Sequence, residues 1–222
     1  MDAARVHVLR ELLATTGWVE RTRDFARSLR RSSVEPGSLL LVGTPSEEPW
    51  HLAAHLDDEA RLSGLPGLSP TLVRWSPPPS APAHLSVGLA RLEAARRGET
   101  LFVVAPEAAP DQLLERVSDA RLVGATILSI DDGDAELGGL AHDRLVVPGV
   151  TSPRSDRADR ADLVVPSLTT PSSARLTAGP VVDMETVQHL VSVAAGEGTD
   201  RGSLRDRLAR LLDKVSGPVP ER

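Results

Sequence analysis

His55 and Glu59 stand four residues apart in the segment "PWHLAAHLDDEARL". Both side chains could move protons or hold a metal ion. If the segment is helical, this spacing puts both on one face. An imidazole and a carboxylate can take up and return protons near neutral pH. The same pair also occurs by chance on solvated helices, where it contributes little. The spacing alone therefore leaves a functional and a structural interpretation open.

The segment "LFVVAPEAAPDQLLERV", residues 101–117, predicts a buried strand, a short turn and the start of a helix. Ligands of open α/β sheets bind at such junctions, and a helix N-terminus attracts anions. Pro106 and Pro110 have no N–H to donate, and the carboxylates of Glu107 and Asp111 would repel a phosphate. We therefore expect this turn to satisfy its own helix start, with Asp111 complementing the helix dipole, and not to bind phosphate.

The segment "LLLVGTPSEEPW" places a second strand-to-helix junction earlier in the chain. Thr44 and Glu47 have the spacing of a capping box, with Pro45 at the first helical position. The hydroxyl groups of Thr44 and Ser46 could instead hold a sugar oxygen or a phosphate. Both interpretations can hold together, because a helix cap is itself a set of N–H donors.

Composition narrows the class of protein. The chain has 222 residues, 41% of them hydrophobic, a net charge of -6 and no cysteine. These values fit one globular domain, argue against nucleic acid as a partner, and exclude disulfides and cysteine metal sites. No apolar run reaches the roughly 20 residues of a membrane span, and "MDAARVHVLREL" lacks a signal-peptide layout. We expect a cytoplasmic protein without a membrane partner.

Predicted helices and strands alternate along the chain. Strands are predicted in "LLLV", "PTLVRW", "LFVVA", "GATILSID", "DRLVVPG" and "ADLVVPS". Helices are predicted over residues 3–31 with a division at Gly17, and over about 49–62, 85–97, from 110 onwards, 182–196 and 203–215. Continuously apolar strands between helices are typical of a parallel sheet covered on both faces. The prediction is an α/β, Rossmann-like three-layer sandwich without the Gly-rich dinucleotide fingerprint.

One domain is predicted over residues 1–217. It comprises an N-terminal helical region, 1–35, and an additional C-terminal helix, 202–216, and it is followed by a tail, 218–222.

Several segments resemble one known family. They are "RRGETLFVV", "ARLVGATILSI" and "LAHDRLVVP" between Leu89 and Pro148, the first loop with its helix, "LLLVGTPSEEPWHLAAHLDDEA", and the closing helix "VDMETVQHLVSVAA". Together they resemble the sugar isomerase (SIS) domain family, and within it the single-domain phosphoheptose isomerases, from about residue 5 to 197. The resemblance implies a five-stranded, or slightly larger, parallel sheet. It also implies a homodimer or homotetramer with a phosphosugar site shared between subunits.

The resemblance also implies roles for individual residues. Glu59 and His189 would be the catalytic proton carriers, and His55, Glu59 and His189 would hold a divalent metal such as zinc. Gly43, Thr44 and Ser46 would contact the substrate. His189 lies between apolar residues, so an ordinary half-buried histidine is the alternative interpretation.

The second loop departs from the family pattern. Family members that bind phosphosugars have Ser-Gly-x-Ser/Thr there, whereas this chain has "APEAAPD", residues 105–111. Two hypotheses follow. In the first, the chain is a SIS-fold protein that binds a sugar or sugar phosphate and could carry out aldose–ketose isomerase chemistry through Glu59 and His189. In the second, it is a catalytically inactive SIS-like pseudoenzyme that acts as a regulatory or oligomeric interaction module.

Overall fold

A computed structural model describes residues 17–147 and 184–196. The strands are β1 (Leu39–Val42), β2 (Thr71–Val73), β3 (Thr100–Ala105), β4 (Thr126–Asp131) and β5 (Asp143–Val146). The helices are α1 (Trp18–Ser32), α2 (Trp50–Ser63), α3 (Ala90–Glu93), α4 (Asp111–Leu122), α5 (Ala135–Leu140) and α6 (Met184–Gly196), with short 3-10 turns at Pro66–Leu68 and Ala83–Leu85.

The described strands form one sheet in the order β2-β1-β3-β4-β5, and every neighbouring pair is parallel. Val42 at the end of β1 pairs with Val73 of β2 on one side and with Val103 of β3 on the other. The predicted α/β class with a five-stranded parallel sheet is confirmed. After β1 the chain adds β2 on one side, and then adds β3 on the other side of β1, so the switch point of the sheet lies between β1 and β3. Open α/β sheets bind ligands at the carboxyl end of such a switch point.

Side chains of successive strand residues point to opposite faces, and both faces are covered. On one face, Phe25 of α1, Leu56 of α2 and Val191 of α6 pack with strand residues such as Phe102. On the other face, Leu113 and Val117 of α4 and Leu137 of α5 pack with strand residues such as Leu101 and Val103. This burial on both sides explains why the strands read as unbroken apolar runs.

Two local predictions are wrong. Residues 85–97 do not form one helix, since only Ala90–Glu93 are α-helical there. Thr44 does not open a helix either: α2 begins at Trp50, and the Glu47 amide donates to the Thr44 carbonyl in a tight turn. The predicted helix start after Gly17 is confirmed, since α1 begins at Trp18 and Gly17 has a left-handed backbone.

Several predictions lie outside the described residues: the helix before Gly17, the strand "ADLVVPS", the helix over 203–215 and the tail. Within residues 17–147 and 184–196, no helix has both the length and the apolar character needed to cross a membrane.

Candidate functional site

The loop after β1, residues 43–49, is fastened to the end of β2. The Trp75 indole N–H donates to the carbonyl of Gly43 at 2.8 Å. The Glu48 carboxylate accepts from Nε of Arg74 at 3.0 Å and from the Trp50 indole at 2.9 Å, and the Arg74 guanidinium lies 4.5 Å from the centre of the Trp50 ring. These contacts fix the loop over the carboxyl end of the sheet.

Gly43 permits the loop to turn back on itself. A Cβ at this position would overlap the carbonyl oxygen of Glu47 and lie 2.7 Å from Cδ of Pro49. Glycine is therefore required here by the close approach of the backbone.

The hydroxyl groups of Thr44 and Ser46 meet at this loop, with Oγ1 and Oγ 3.0 Å apart. Both also reach the second loop: Thr44 donates to Oε1 of Glu107 at 3.4 Å, and Ser46 donates to the same oxygen. Thr44 is buried and Glu107 is exposed. A carboxylate of the chain itself thus accepts hydrogen bonds from both predicted substrate-binding hydroxyls, at the switch point between β1 and β3.

The second loop offers few backbone donors. Pro106 and Pro110 have no N–H, and the amide of Ala109 donates to the carboxylate of Asp134 at 2.8 Å. Asp111 lies in the first turn of α4, as predicted, where it complements the helix dipole. Only the amides of Glu107 and Ala108 remain between the two prolines, so the loop has no phosphate cradle of the usual kind.

Asp134 ties this loop to the start of α5. Burial raises the pKa of its carboxyl, but the backbone amides of Ala109, Leu137 and Glu136 lower it more, and the charge of Arg144 adds to them, so that the pKa lies below its usual value. Asp134 is also the N-cap of α5. The carboxylate is therefore ionised at neutral pH and structural in function.

His55 and His189 come together where α2 and α6 pack side by side. Their ring centres are 4.5 Å apart with the planes at 76°, an edge-on contact. One turn earlier, His51 lies 3.4 Å from the carboxylate of Glu185. Residue numbers rise together along both helices, so α2 and α6 run parallel. The two histidines therefore lie in the second turns of their helices, close to the loop after β1.

The imidazole of His189 is neutral at neutral pH. Burial, together with a smaller contribution from the neighbouring His55, lowers its pKa from 6.5 to about 4. Its Nε2 is buried and has no hydrogen-bond partner in the described part of the chain. A neutral ring with a buried nitrogen can accept a proton or a hydrogen bond, but it is a poor general acid near pH 7.

The side chain of Glu59, on α2, contacts a different part of α6 from His55. A methyl group on Gly196 would overlap the Glu59 carboxylate, so this side chain lies against the last residue of the helix. Residues 189 and 196 are about 10 Å apart along a helix axis. Within residues 17–147 and 184–196, no group of three or more histidine, cysteine, aspartate or glutamate residues could hold a metal ion. The predicted metal set of His55, Glu59 and His189 gains no support from this arrangement.

The depressed pKa of His189 predicts a pH-dependent stability. Between pH 6.5 and 4 the unfolded chain binds a proton that the folded chain resists, so this contribution is fully present above pH 6.5 and is lost as the pH falls towards 4. For a half-buried ring we expect a loss of about 1 kcal/mol after solvent screening. Urea unfolding of the wild type and of His189→Leu across this range measures the difference, with the exposed His84→Gln as the control. Parallel curves for the wild type and His189→Leu would contradict the prediction.

An ion pair between β4 and β5, which the sequence did not predict, joins these two strands at one edge of the sheet. Asp131 ends β4 fully buried, and Nε of Arg144 in β5 donates to its two oxygens at 2.8 and 3.0 Å. Ser129 and the amide of Gly133 also donate to Asp131, and Arg144 donates to the carbonyl of Asp134 at 2.7 Å. The hydrogen bonds with Asp131 are the main cause that raises the pKa of Arg144. The only signal in the sequence is an aspartate that ends an apolar strand, since buried charges are almost always paired.

No protein-family model matches the chain, and no curated protein is significantly similar to it in sequence. The case for function therefore depends on the sequence resemblance described above, on the residues and on their geometry.

Proposed function

We propose that this chain is a SIS-like protein that binds a sugar or a sugar phosphate, in the cytoplasm, through the crevice above β1 and β3. The observation that carries the proposal is the meeting of the Thr44 and Ser46 hydroxyls at the switch point of the sheet. A hydroxyl can both donate and accept hydrogen bonds, as the hydroxyls of a sugar do. The family resemblance between Leu89 and Pro148 supports the same ligand class.

Isomerase chemistry is the catalytic form of this proposal. Glu59 would remove a proton from the sugar carbon, and His189 would handle the proton at oxygen. The seat of Glu59 against Gly196, about 10 Å along α6 from His189, disfavours this pairing within one chain. An isomerase would then combine Glu59 of one subunit with His189 of another, in the homodimer or homotetramer that the family resemblance implies.

The same observation favours the second candidate, a binding protein without catalysis that acts as a regulatory or oligomeric interaction module. The hydrogen bonds that Glu107 accepts from the Thr44 and Ser46 hydroxyls also favour a binding protein without catalysis. The two candidates differ in turnover. Aldose–ketose conversion by the wild type that is lost in Glu59→Gln and in His189→Ala supports the isomerase. Sugar binding without conversion supports the non-catalytic protein.

Ligand binding itself is tested by thermal shift with pentoses, hexoses and heptoses, each with and without a terminal phosphate. A ligand at about 100 times its Kd stabilises the folded state by about 2.7 kcal/mol. For a domain of this size, we expect the Tm to rise by about 5–10 °C.

The variant Thr44→Val/Ser46→Ala should lose this rise because it removes both hydroxyls. Thr100→Val is the matched control, since its hydroxyl is buried without a partner at the opposite end of β3. A rise that is equal in all three proteins, or absent from the wild type for the whole panel, would refute the proposed site.

A further inference from the structure

The carboxylate of Glu107 has no described counter-charge. Its contacts are the hydroxyls of Thr44 and Ser46, and no arginine or lysine within residues 17–147 and 184–196 forms an ion pair with it. Arg74, which holds the loop after β1, is paired with Glu48. This end of the sheet therefore places a carboxylate beside two neutral hydroxyl groups.

The backbone around the crevice does little to offset this charge. The prolines at 106 and 110 remove two donors, and Asp134 accepts from the amide of Ala109. Asp111 adds a second carboxylate in the first turn of α4, where it already complements the helix dipole. A phosphate that approached the Thr44 and Ser46 hydroxyls would meet the Glu107 carboxylate and few free N–H groups.

We infer that Glu107 selects the ligand of this crevice: its carboxylate, with the hydroxyls of Thr44 and Ser46, admits an uncharged polyhydroxy compound and rejects a phosphorylated one. This inference rests on the proposed sugar-binding function and names the ligand class of that site. A carboxylate accepts strong hydrogen bonds from sugar hydroxyls, which replace those that Thr44 and Ser46 donate in the free protein. The exposed position of Glu107 lets the side chain turn towards a ligand.

Charge repulsion gives the size of the effect. Like charges about 4 Å apart near a protein surface repel strongly enough to weaken binding by several orders of magnitude, and solvent screening reduces this to at least roughly tenfold. Glu107→Gln removes the charge but keeps an oxygen that can accept from both hydroxyls, so the fold at this loop is preserved. Glu115→Gln is the matched control, because it makes the same change in net charge at an exposed position of α4.

The experiment is an NMR titration that follows the backbone amides of Ser46 and Ala108 in the wild type, Glu107→Gln and Glu115→Gln. The probes are inorganic phosphate, neutral hexoses and the corresponding hexose phosphates. We expect phosphate to shift these amides in Glu107→Gln with a Kd at least roughly tenfold below that of the wild type and of Glu115→Gln. Neutral hexoses should bind the wild type more tightly than their phosphates.

The inference is overturned if phosphate binds the wild type and Glu107→Gln equally, or binds neither of them. It is also overturned if hexose phosphates bind the wild type as tightly as neutral hexoses do, a result that leaves the proposed sugar-binding function intact. If no sugar of either kind shifts these amides in any of the three proteins, the proposed function fails, and this inference fails with it.

Discussion

Replacing Arg144 with leucine lowers the free energy of unfolding by about 3–5 kcal/mol, because it leaves Asp131 buried without its counter-charge. Asp131 is fully buried at the end of β4, and Arg144 donates to both of its oxygens. The hydroxyl of Ser129 and the amide of Gly133 stay in place as donors, but they are neutral and cannot replace a charge. Urea unfolding at neutral pH measures the loss.

Two further variants show whether the buried charge is the cause. Asp131→Asn combined with Arg144→Leu removes both charges and keeps one oxygen that accepts from Gly133 and an NH2 that can donate to the Ser129 hydroxyl. It should therefore recover most of the lost stability. Arg61→Leu removes an exposed arginine that pairs with Asp57 on the surface of α2, and we expect it to cost at most about 1 kcal/mol. If Arg144→Leu is no more costly than Arg61→Leu, Asp131 does not depend on this pairing.

We expect Gly43→Ala to lower the free energy of unfolding by about 1–3 kcal/mol and to abolish the proposed sugar binding. The added methyl group would overlap the carbonyl oxygen of Glu47 and approach Pro49 at 2.7 Å, and both belong to the chain's own loop, so the backbone must move. That movement displaces Thr44 and Ser46 from their contact with Glu107. Urea unfolding and the thermal-shift panel, run on the same variant, measure the two effects.

Gly139→Ala is the matched control for this substitution. A methyl group at Gly139 meets no atom within 4 Å, and the residue lies within α5, where alanine favours the helix by about 0.5–1 kcal/mol over glycine. Its stability should therefore rise slightly, and its ligand binding should be unchanged. A Gly43→Ala variant as stable as the wild type would mean that the loop after β1 is not held as described.

The sheet could be predicted because its strands are buried on both faces. The runs "LLLV" and "LFVVA" have no polar residue, which is unusual outside a covered parallel sheet, and they form β1 and most of β3. The parallel arrangement followed from the helices between the strands. Strand order did not follow from any local pattern, so the position of the switch point between β1 and β3 was known only from the fold.

The segment 85–97 was mispredicted because a long-range contact outweighs its helical pattern. The apolar spacing around Leu89 and Leu92 resembles one face of a helix. In the fold, the amide of Arg74 donates to the carbonyl of Val87 at 2.8 Å, and Gly88 forms a bridge with Arg74. This pairing extends the chain beside the end of β2 and leaves room only for the short helix α3. Such tertiary override of local propensity is common.

The candidate site could be predicted in part. The sequence indicated that Thr44 and Ser46 are hydroxyls at a strand end, and that the second loop is unsuited to phosphate. It did not indicate that Glu107 reaches across to the first loop, because that contact depends on β1 and β3 being neighbours. The capping box failed for a related reason: the Thr44 side chain bonds to Ser46 and Glu107 and not to the amide of Glu47.

The central claim is that the crevice above β1 and β3 binds a sugar through Thr44 and Ser46, and chemical-shift mapping of the wild type tests it most directly. Neutral hexoses, titrated one at a time into the isotope-labelled protein, should shift the amides of residues 43–46 and 107–108 most strongly, with saturation at a common Kd. Shifts that cluster at another part of the molecule, such as the groove between α4 and α5, would contradict the claim, as would spectra that no hexose changes.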